Sequence, residues 1–144
     1  MYSSELIKGK TSSQKFANEI YNILIIGLLF LILIIEIFMP WFVLLIAPGF
    51  TENSEKLELT IYLTRITFPF LFFISLASFF AAILNSHNKF ALSAAAPIVL
   101  NIILILILLF GRYLNDDLVK YLAYGVTISG IIQFLLLIWF AKNF

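Results

Sequence analysis

The sequence predicts an all-α fold: a polytopic membrane protein with four transmembrane helices. Hydrophobic residues make up 62% of the chain and charged residues 12%, against about 45–50% and 25% in soluble domains. The charges lie between long apolar segments, and residues 66–84 are nineteen positions without a charge. A helix of about 20 apolar residues crosses a hydrocarbon layer of about 30 Å. A chain of this composition cannot cover itself with polar surface and belongs in lipid.

Four apolar segments divide the chain into spans and connections. The predicted transmembrane helices are residues 20–46, 61–84, 90–110 and 121–140. The remaining segments are a connector or interfacial segment at 1–19, loops at 47–60 and 111–120, a turn at 85–89 and an end segment at 141–144. Lysine and arginine are nearly balanced between the two sides, so the positive-inside rule favours a cytoplasmic N-terminus only weakly.

The first predicted span contains Glu36 near the middle of its apolar run. A carboxylate at that depth costs roughly 2.5–3.5 kcal/mol on insertion scales, so it should face a protein interior or water, or be protonated. Pro40, four residues later, lacks the N–H that would pair with the Glu36 carbonyl. Two interpretations remain open: Glu36 lines a polar cavity, or it forms a structural hydrogen bond to a neighbouring helix.

The loop at 47–60 begins with Pro48 and Gly49, which end a helix, and continues with acids at every third position. This spacing is typical of a short interfacial helix with a wet face. In the second predicted span, Arg65 either reaches the headgroups or contacts substrate, and Pro69 bends the helix.

Small residues mark a packing face of the second span, at helical spacing, and these are Ser75, Ser78 and Ala82. The short turn at 85–89 makes the second and third spans antiparallel neighbours. In the third span, Pro97 is a second bending point of this hairpin. Asn101 either satisfies a neighbouring helix or faces a cavity.

The last predicted span carries Gly125, Ser129 and Gln133 at four-residue intervals. Small residues in this pattern let another helix approach closely, and Gln133 adds a polar end to the seam. Trp139 and Lys142 anchor the far end of the helix at the interface.

Several classes of function are disfavoured by the residues present. A net charge of +1 and the absence of a basic stripe argue against nucleic-acid binding. The chain has no cysteine and a single histidine, His87, so we expect no metal site and no cofactor. No nucleophile, histidine pair or paired carboxylate occurs at helical spacing, so we expect no enzyme activity.

A series of short motifs resembles the MurJ family, also called MviN, in sequence, order and spacing. The motifs are Ala-Pro-Gly-Phe at 47–50, Arg-Ile-Thr-Phe-Pro-Phe at 65–70, Ile-Ser-Leu-Ala-Ser at 74–78, Leu-Asn at 84–85, Asn-Lys-Phe at 88–90 and Ala-Pro-Ile-Val-Leu-Asn at 96–101. The family belongs to the multidrug/oligosaccharidyl-lipid/polysaccharide exporter superfamily. Its members flip lipid II, the undecaprenyl-linked peptidoglycan precursor, from the inner to the outer leaflet of the bacterial cytoplasmic membrane.

The resemblance implies that this chain corresponds to spans three to six of a fourteen-helix flippase. It places both termini and the 85–89 turn in the cytoplasm and the loops at 47–60 and 111–120 in the periplasm. The implied partners are membrane lipid, lipid II and the remaining transmembrane helices. The family's cavity arginines lie chiefly on the first, second and eighth spans, so no diphosphate site is expected here.

The expected mechanism turns the polar residues of the spans towards the protein interior, and these are Glu36, Arg65, Asn101 and Gln133. Pro40, Pro69 and Pro97 are the expected bending points as the lobes rock between inward-open and outward-open states. Two alternatives stay open at this point: a small four-span scaffold or partner subunit that transports nothing, and an exporter of another substrate in the same superfamily.

Overall fold

The computed structural model describes residues 2–113 and 117–143, and in these ranges every regular element is a helix. Residues 114–116 of the predicted 111–120 loop, together with residues 1 and 144, lie outside the described residues. The α-helices are α1 (Tyr2–Lys8), α2 (Lys10–Ile37), α3 (Met39–Ile46), α4 (Ser54–Thr67), α5 (Pro69–Ser86), α6 (Phe90–Ala94), α7 (Ala96–Gly111) and α8 (Leu118–Lys142). A 3-10 helix at Pro48–Glu52 links α3 to α4.

Four helical segments are long and apolar enough to cross a membrane by length and composition. They are Lys10–Ile37, Ser54–Ser86, Phe90–Gly111 and Leu118–Lys142. This confirms the predicted fold class, an all-α chain with four candidate transmembrane helices.

Each of the three predicted bending prolines follows an interruption in its helix by one or two residues. At Phe68 and Ala95 the backbone stays right-handed helical, with φ/ψ of −61°/−38° and −71°/−24°, so α4 runs on into α5 and α6 into α7. Phe38 departs further, with ψ at 20°, and there α2 ends and the short α3 begins. Proline removes one backbone donor and crowds the preceding turn, which explains why all three breaks fall just before it.

The helix boundaries extend some of the predicted spans and divide another. The first apolar helix begins at Lys10 and the segment predicted at 20–46 is divided at Phe38. The second begins at Ser54, where the Asn53 side chain accepts a hydrogen bond of 3.0 Å from the Lys56 N–H. Glu55 and Glu58 therefore lie in the first turns of α4, where carboxylates favour a helix N-terminus.

Helix α8 is the centre of the bundle. It packs most extensively against α5 and α7 and also contacts α4. One apolar cluster joins these helices through Ala77 and Leu84 of α5, Ala96 of α7 and Leu137 of α8, all buried. This cluster fixes the positions of the third and fourth spans against the second.

A second apolar cluster joins α3 to the junction of α4 and α5. Its buried members are Met39, Val43 and Phe68, and the Phe42 and Phe68 rings meet edge to face with centroids 5.7 Å apart. Helix α2 contributes Ile32 and Ile35 to the edge of this cluster, but no residue of its most apolar 18-residue stretch is fully buried. Its contact with α5 is carried by Tyr21, whose ring lies 5.5 Å from Phe79 and 5.4 Å from Phe80.

Candidate functional site: polar residues between the helices

Glu36 lies on the side of α2 that faces the rest of the chain. Its side chain is half-buried, and its Oε1 atom is shielded from solvent with no hydrogen-bond partner among the described residues. Arg65 of α4 is exposed. The first span thus carries a half-buried carboxylate and the second an exposed guanidinium.

Asn101 and Gln133 occupy very different environments. Asn101 is exposed on the surface of α7, whereas Gln133 is only 1% exposed, in the core beside α8's contact with α5. The Nε2 atom of Gln133 has no hydrogen-bond partner among the described residues. The four polar residues therefore do not form one cluster in this chain.

The bending prolines fall into two groups. The interruptions before Pro40 and Pro69 meet, because Met39 and Phe68, which directly precede these prolines, belong to the same buried cluster. Pro97 is separate and lines a small cavity together with Gln133. The described residues therefore contain one pair of neighbouring interruptions and one separate interruption.

Of the residues predicted for helix packing, those on α8 are buried within the chain and most of those on α5 are not. On α8, Gly125 and Ser129 are buried, and a Cβ at Gly125 would lie 2.2 Å from the Ile107 side chain of α7. On α5, Ser75 is half-buried, while Ser78 and Ala82 are exposed within this chain. The α8 seam packs within the chain, and the α5 face is left open.

Two further residues of α8 take part in helix packing and are not singled out by the sequence reasoning. A Cβ at Gly130 would lie 2.7 Å from the Phe70 ring and 3.3 Å from Cβ of Phe73, so α5 approaches α8 closely at this glycine. The Thr127 hydroxyl donates a hydrogen bond to the Ile66 carbonyl of α4. An apolar helix containing a second glycine and a threonine is the sequence signal for both.

Within residues 2–113 and 117–143 there is no group of three or more histidine, cysteine, aspartate or glutamate side chains able to hold a metal ion. The polar groups of the spans are instead single side chains and proline-freed carbonyls, spread over all four apolar helices. This arrangement, with four long apolar helices and isolated intramembrane polar groups, defines a multi-pass α-helical membrane protein.

Comparison with known proteins supplies the family. The model of the family described as "Lipid II flippase MurJ" matches residues 1–144, so the chain belongs to the MurJ lipid II flippase family. The chain is 37% identical over 134 residues to a probable lipid II flippase MurJ of Rickettsia prowazekii and 34% identical over 129 residues to one of Rhizobium tropici. It is also 35% identical over 95 residues to the lipid II flippase MurJ of Burkholderia cenocepacia.

These matches cover most of the chain but a small part of each relative. They include 92%, 87% and 66% of this chain and 26%, 24% and 18% of the respective relatives. The chain thus spans about a quarter of the length of the curated relatives it matches.

Proposed function

We propose that these residues form part of a lipid II flippase, which moves the undecaprenyl-linked peptidoglycan precursor from the inner to the outer leaflet of the bacterial cytoplasmic membrane for cell wall synthesis. The observation that carries the proposal is the family match over residues 1–144. The protein acts as a transporter and not as an enzyme, with lipid II and the remaining transmembrane helices as partners. Both termini of the chain lie on the cytoplasmic side.

Glu36, Arg65 and Asn101 contribute polar surface to the interior of the full-length protein. The energetic reason is that each of these side chains is penalised against lipid. Glu36 is half-buried on α2, Arg65 is exposed on α4, and Asn101 is exposed on α7 and needs a polar environment outside this chain. Gln133 lies further inside, buried on α8.

Rocking between inward-open and outward-open states uses the bends before Pro40, Pro69 and Pro97. A helix interrupted at a proline lacks one backbone hydrogen bond and bends there at lower cost than in an unbroken turn. The meeting of the first two bends in one cluster couples motion of α3 to motion of the α4–α5 junction.

Cysteine accessibility tests the interior position of Asn101. This chain has no cysteine of its own, so single substitutions can be compared in the full-length protein in native membranes once any cysteine outside these 144 residues has been replaced. We expect Asn101→Cys to react with a membrane-impermeant thiol reagent and Leu106→Cys, an apolar control on another face of α7, to remain unreactive. Reaction at Leu106→Cys alone would contradict the assignment.

Transport itself is tested with the full-length protein in lipid vesicles. We expect time-dependent movement of labelled lipid II between leaflets, and slower movement in the Pro97→Ala variant because alanine restores the missing backbone donor. Movement of another lipid-linked oligosaccharide without movement of lipid II would instead favour a different exporter of the superfamily.

A further inference from the structure

A small cavity lies where α5, the α6–α7 interruption and α8 meet. Its volume is about 100 Å³, and its polar lining consists of Ser78, Ser93 and Gln133. The remaining lining is apolar, including Pro97 and Leu137, and none of the lining residues carries a charge. The cavity is therefore polar at only a few points, and it opens to the outside of the chain at Ser78 and Pro97, which are exposed.

Gln133 presents an unpaired donor at this cavity. Its side chain is 1% exposed, and its Nε2 atom has no hydrogen-bond partner among the described residues. Leaving a buried donor unsatisfied costs about 1–3 kcal/mol. Nearby hydroxyls donate elsewhere: Ser78 to the Ile74 carbonyl at 2.8 Å and Ser93 to the Asn85 side chain at 2.5 Å.

Pro97 leaves a complementary acceptor, the Ser93 carbonyl, without its usual donor. In an unbroken helix the Ser93 carbonyl would accept a hydrogen bond from the N–H of residue 97, and proline has none. The helix is interrupted at Ala95. The Ile98 N–H donates to the Ala95 carbonyl, three residues back, at 3.2 Å. Ser93, whose carbonyl lacks the donor that residue 97 would supply in an unbroken helix, and Gln133, with its unpaired amide, both line the cavity.

We propose that this cavity is a water-binding site, in which one or more ordered waters connect the Gln133 amide to the Ser93 carbonyl. Water accepts from Nε2 and donates to the carbonyl, so it satisfies both groups, and a polar cavity needs only about 10–15 Å³ to hold one molecule. A cation fits poorly, because the unpaired Nε2 is a donor and no lining residue is charged. The assignment is independent of the transported substrate.

Bound water makes the α6–α7 interruption a hinge. A direct hydrogen bond between fixed groups holds one angle, whereas a water can keep its partners over a range of separations. The Ser93 carbonyl therefore stays satisfied as the helix bends at Ala95, and the cost of bending in an apolar environment falls.

Hydroxyl-radical footprinting by X-ray radiolysis tests the site, because radicals generated from a bound water oxidise the side chains beside it. The full-length protein in nanodiscs provides an internal comparison. Leu137 and Leu84 are 1% and 0% exposed and share one apolar cluster, but only Leu137 lines the cavity. We expect oxidation of Leu137 to exceed that of Leu84 several-fold, because only Leu137 lies beside the water. Equal oxidation of the two leucines would overturn the proposal.

A substitution at Gln133 tests whether its amide binds the water. In Gln133→Met, of similar size but without the amide, oxidation of Leu137 should fall to the level of Leu84. In the control Gln14→Met, on the exposed side of α2, it should stay unchanged. Unchanged oxidation in Gln133→Met would exclude the amide as the anchor of the water.

A second substitution, at Pro97, tests whether the Ser93 carbonyl binds the water. Pro97→Ala returns an N–H to the Ser93 carbonyl, so Leu137 oxidation should decrease, though less than in Gln133→Met. Unchanged oxidation in Pro97→Ala would remove Ser93 from the site. The comparison of Leu137 with Leu84 in the unsubstituted protein requires neither variant to fold.

Discussion

Helices α8 and α2 have similar lengths, 25 and 28 residues, yet they differ sharply in how they pack. A third of the most apolar stretch of α8 is buried inside the chain, whereas none of the corresponding stretch of α2 is, although α2 is the more apolar of the two. Small residues explain the difference: α8 has glycines in contact with α5 and α7, whereas a Cβ added at Gly27 of α2 would have no atom of another helix within 4 Å. In lipid, apolarity decides where a helix resides and small residues decide what it packs against.

The largest effect on the free energy of unfolding should come from replacing a leucine by alanine in α8, compared with the same replacement in α2. Leu137→Ala removes a buried side chain from the main apolar cluster, and we expect a loss of about 2–4 kcal/mol in the free energy of unfolding. Leu33→Ala in α2, where the leucine is 60% exposed, should change it by less than about 0.5 kcal/mol. Titration of the full-length protein with a denaturing detergent measures both. A large loss at Leu33 would show that its face is covered by a further helix.

A somewhat smaller effect is expected from adding one methyl group at a glycine. Gly130→Ala forces Cβ against the Phe70 ring and the backbone-near part of Phe73, and overpacking of this kind costs about 1–3 kcal/mol. Gly27→Ala meets open space and should be neutral or slightly stabilising. Thermal unfolding of the two variants side by side gives the comparison, and equal melting temperatures would contradict close packing at Gly130.

The hydrogen bond between α8 and α4 should contribute less to the free energy of unfolding than close packing at Gly130. Thr127→Val keeps the shape of the side chain but removes the donor to the Ile66 carbonyl, and we expect a loss of about 0.6 kcal/mol, at most about 1.7. Thr67→Val is the matched control, because the Thr67 hydroxyl bonds only within its own helix, to the Leu63 carbonyl at 3.0 Å and the Thr64 carbonyl at 3.3 Å. The same detergent titration separates the two, and a greater loss in Thr67→Val would contradict an interhelical role for Thr127.

The smallest effect is expected at the tyrosine pair that also joins α4 to α8. The Tyr62 and Tyr124 hydroxyls are 3.4 Å apart and exposed, which is long for an O–H···O bond. Tyr124→Phe should therefore cost less than about 0.5 kcal/mol. Tyr121→Phe, one turn earlier and exposed, is the control, and a loss above 1 kcal/mol in Tyr124→Phe alone would require a closer contact than this one.

Sequence reasoning succeeds for features that depend on one helix at a time. Length and apolarity identify the four candidate spans, and proline chemistry places the three interruptions near Pro40, Pro69 and Pro97. It does not reveal that the helix ends before Pro40 but continues past the other two, a difference that the backbone angles at Phe38, Phe68 and Ala95 show. The rules for a single proline in a helix are the same at all three positions and do not distinguish them.

Which row of small residues packs is likewise a property of the neighbouring helix. Four-residue spacing on α8 selects Gly125, Ser129 and Gln133 but not Gly130. Gly130 is nevertheless a packing residue, because Phe70 and Phe73 of α5 lie opposite it. The same spacing on α5 selects Ser78 and Ala82, which the chain leaves exposed. The roles of the polar residues and of the exposed face stay predictions.

Two proline interruptions meet in one buried cluster in the first half of the chain, and we expect them to behave as a single pivot. Met39 and Phe68 belong to that cluster, so we expect a change of angle at one break to alter the packing around the other. We expect a rotation that begins at α3 to be passed on to α5, the helix on which α8 rests. A covalent cross-link across this pivot would then hold both breaks at once and leave the separate break before Pro97 unaffected.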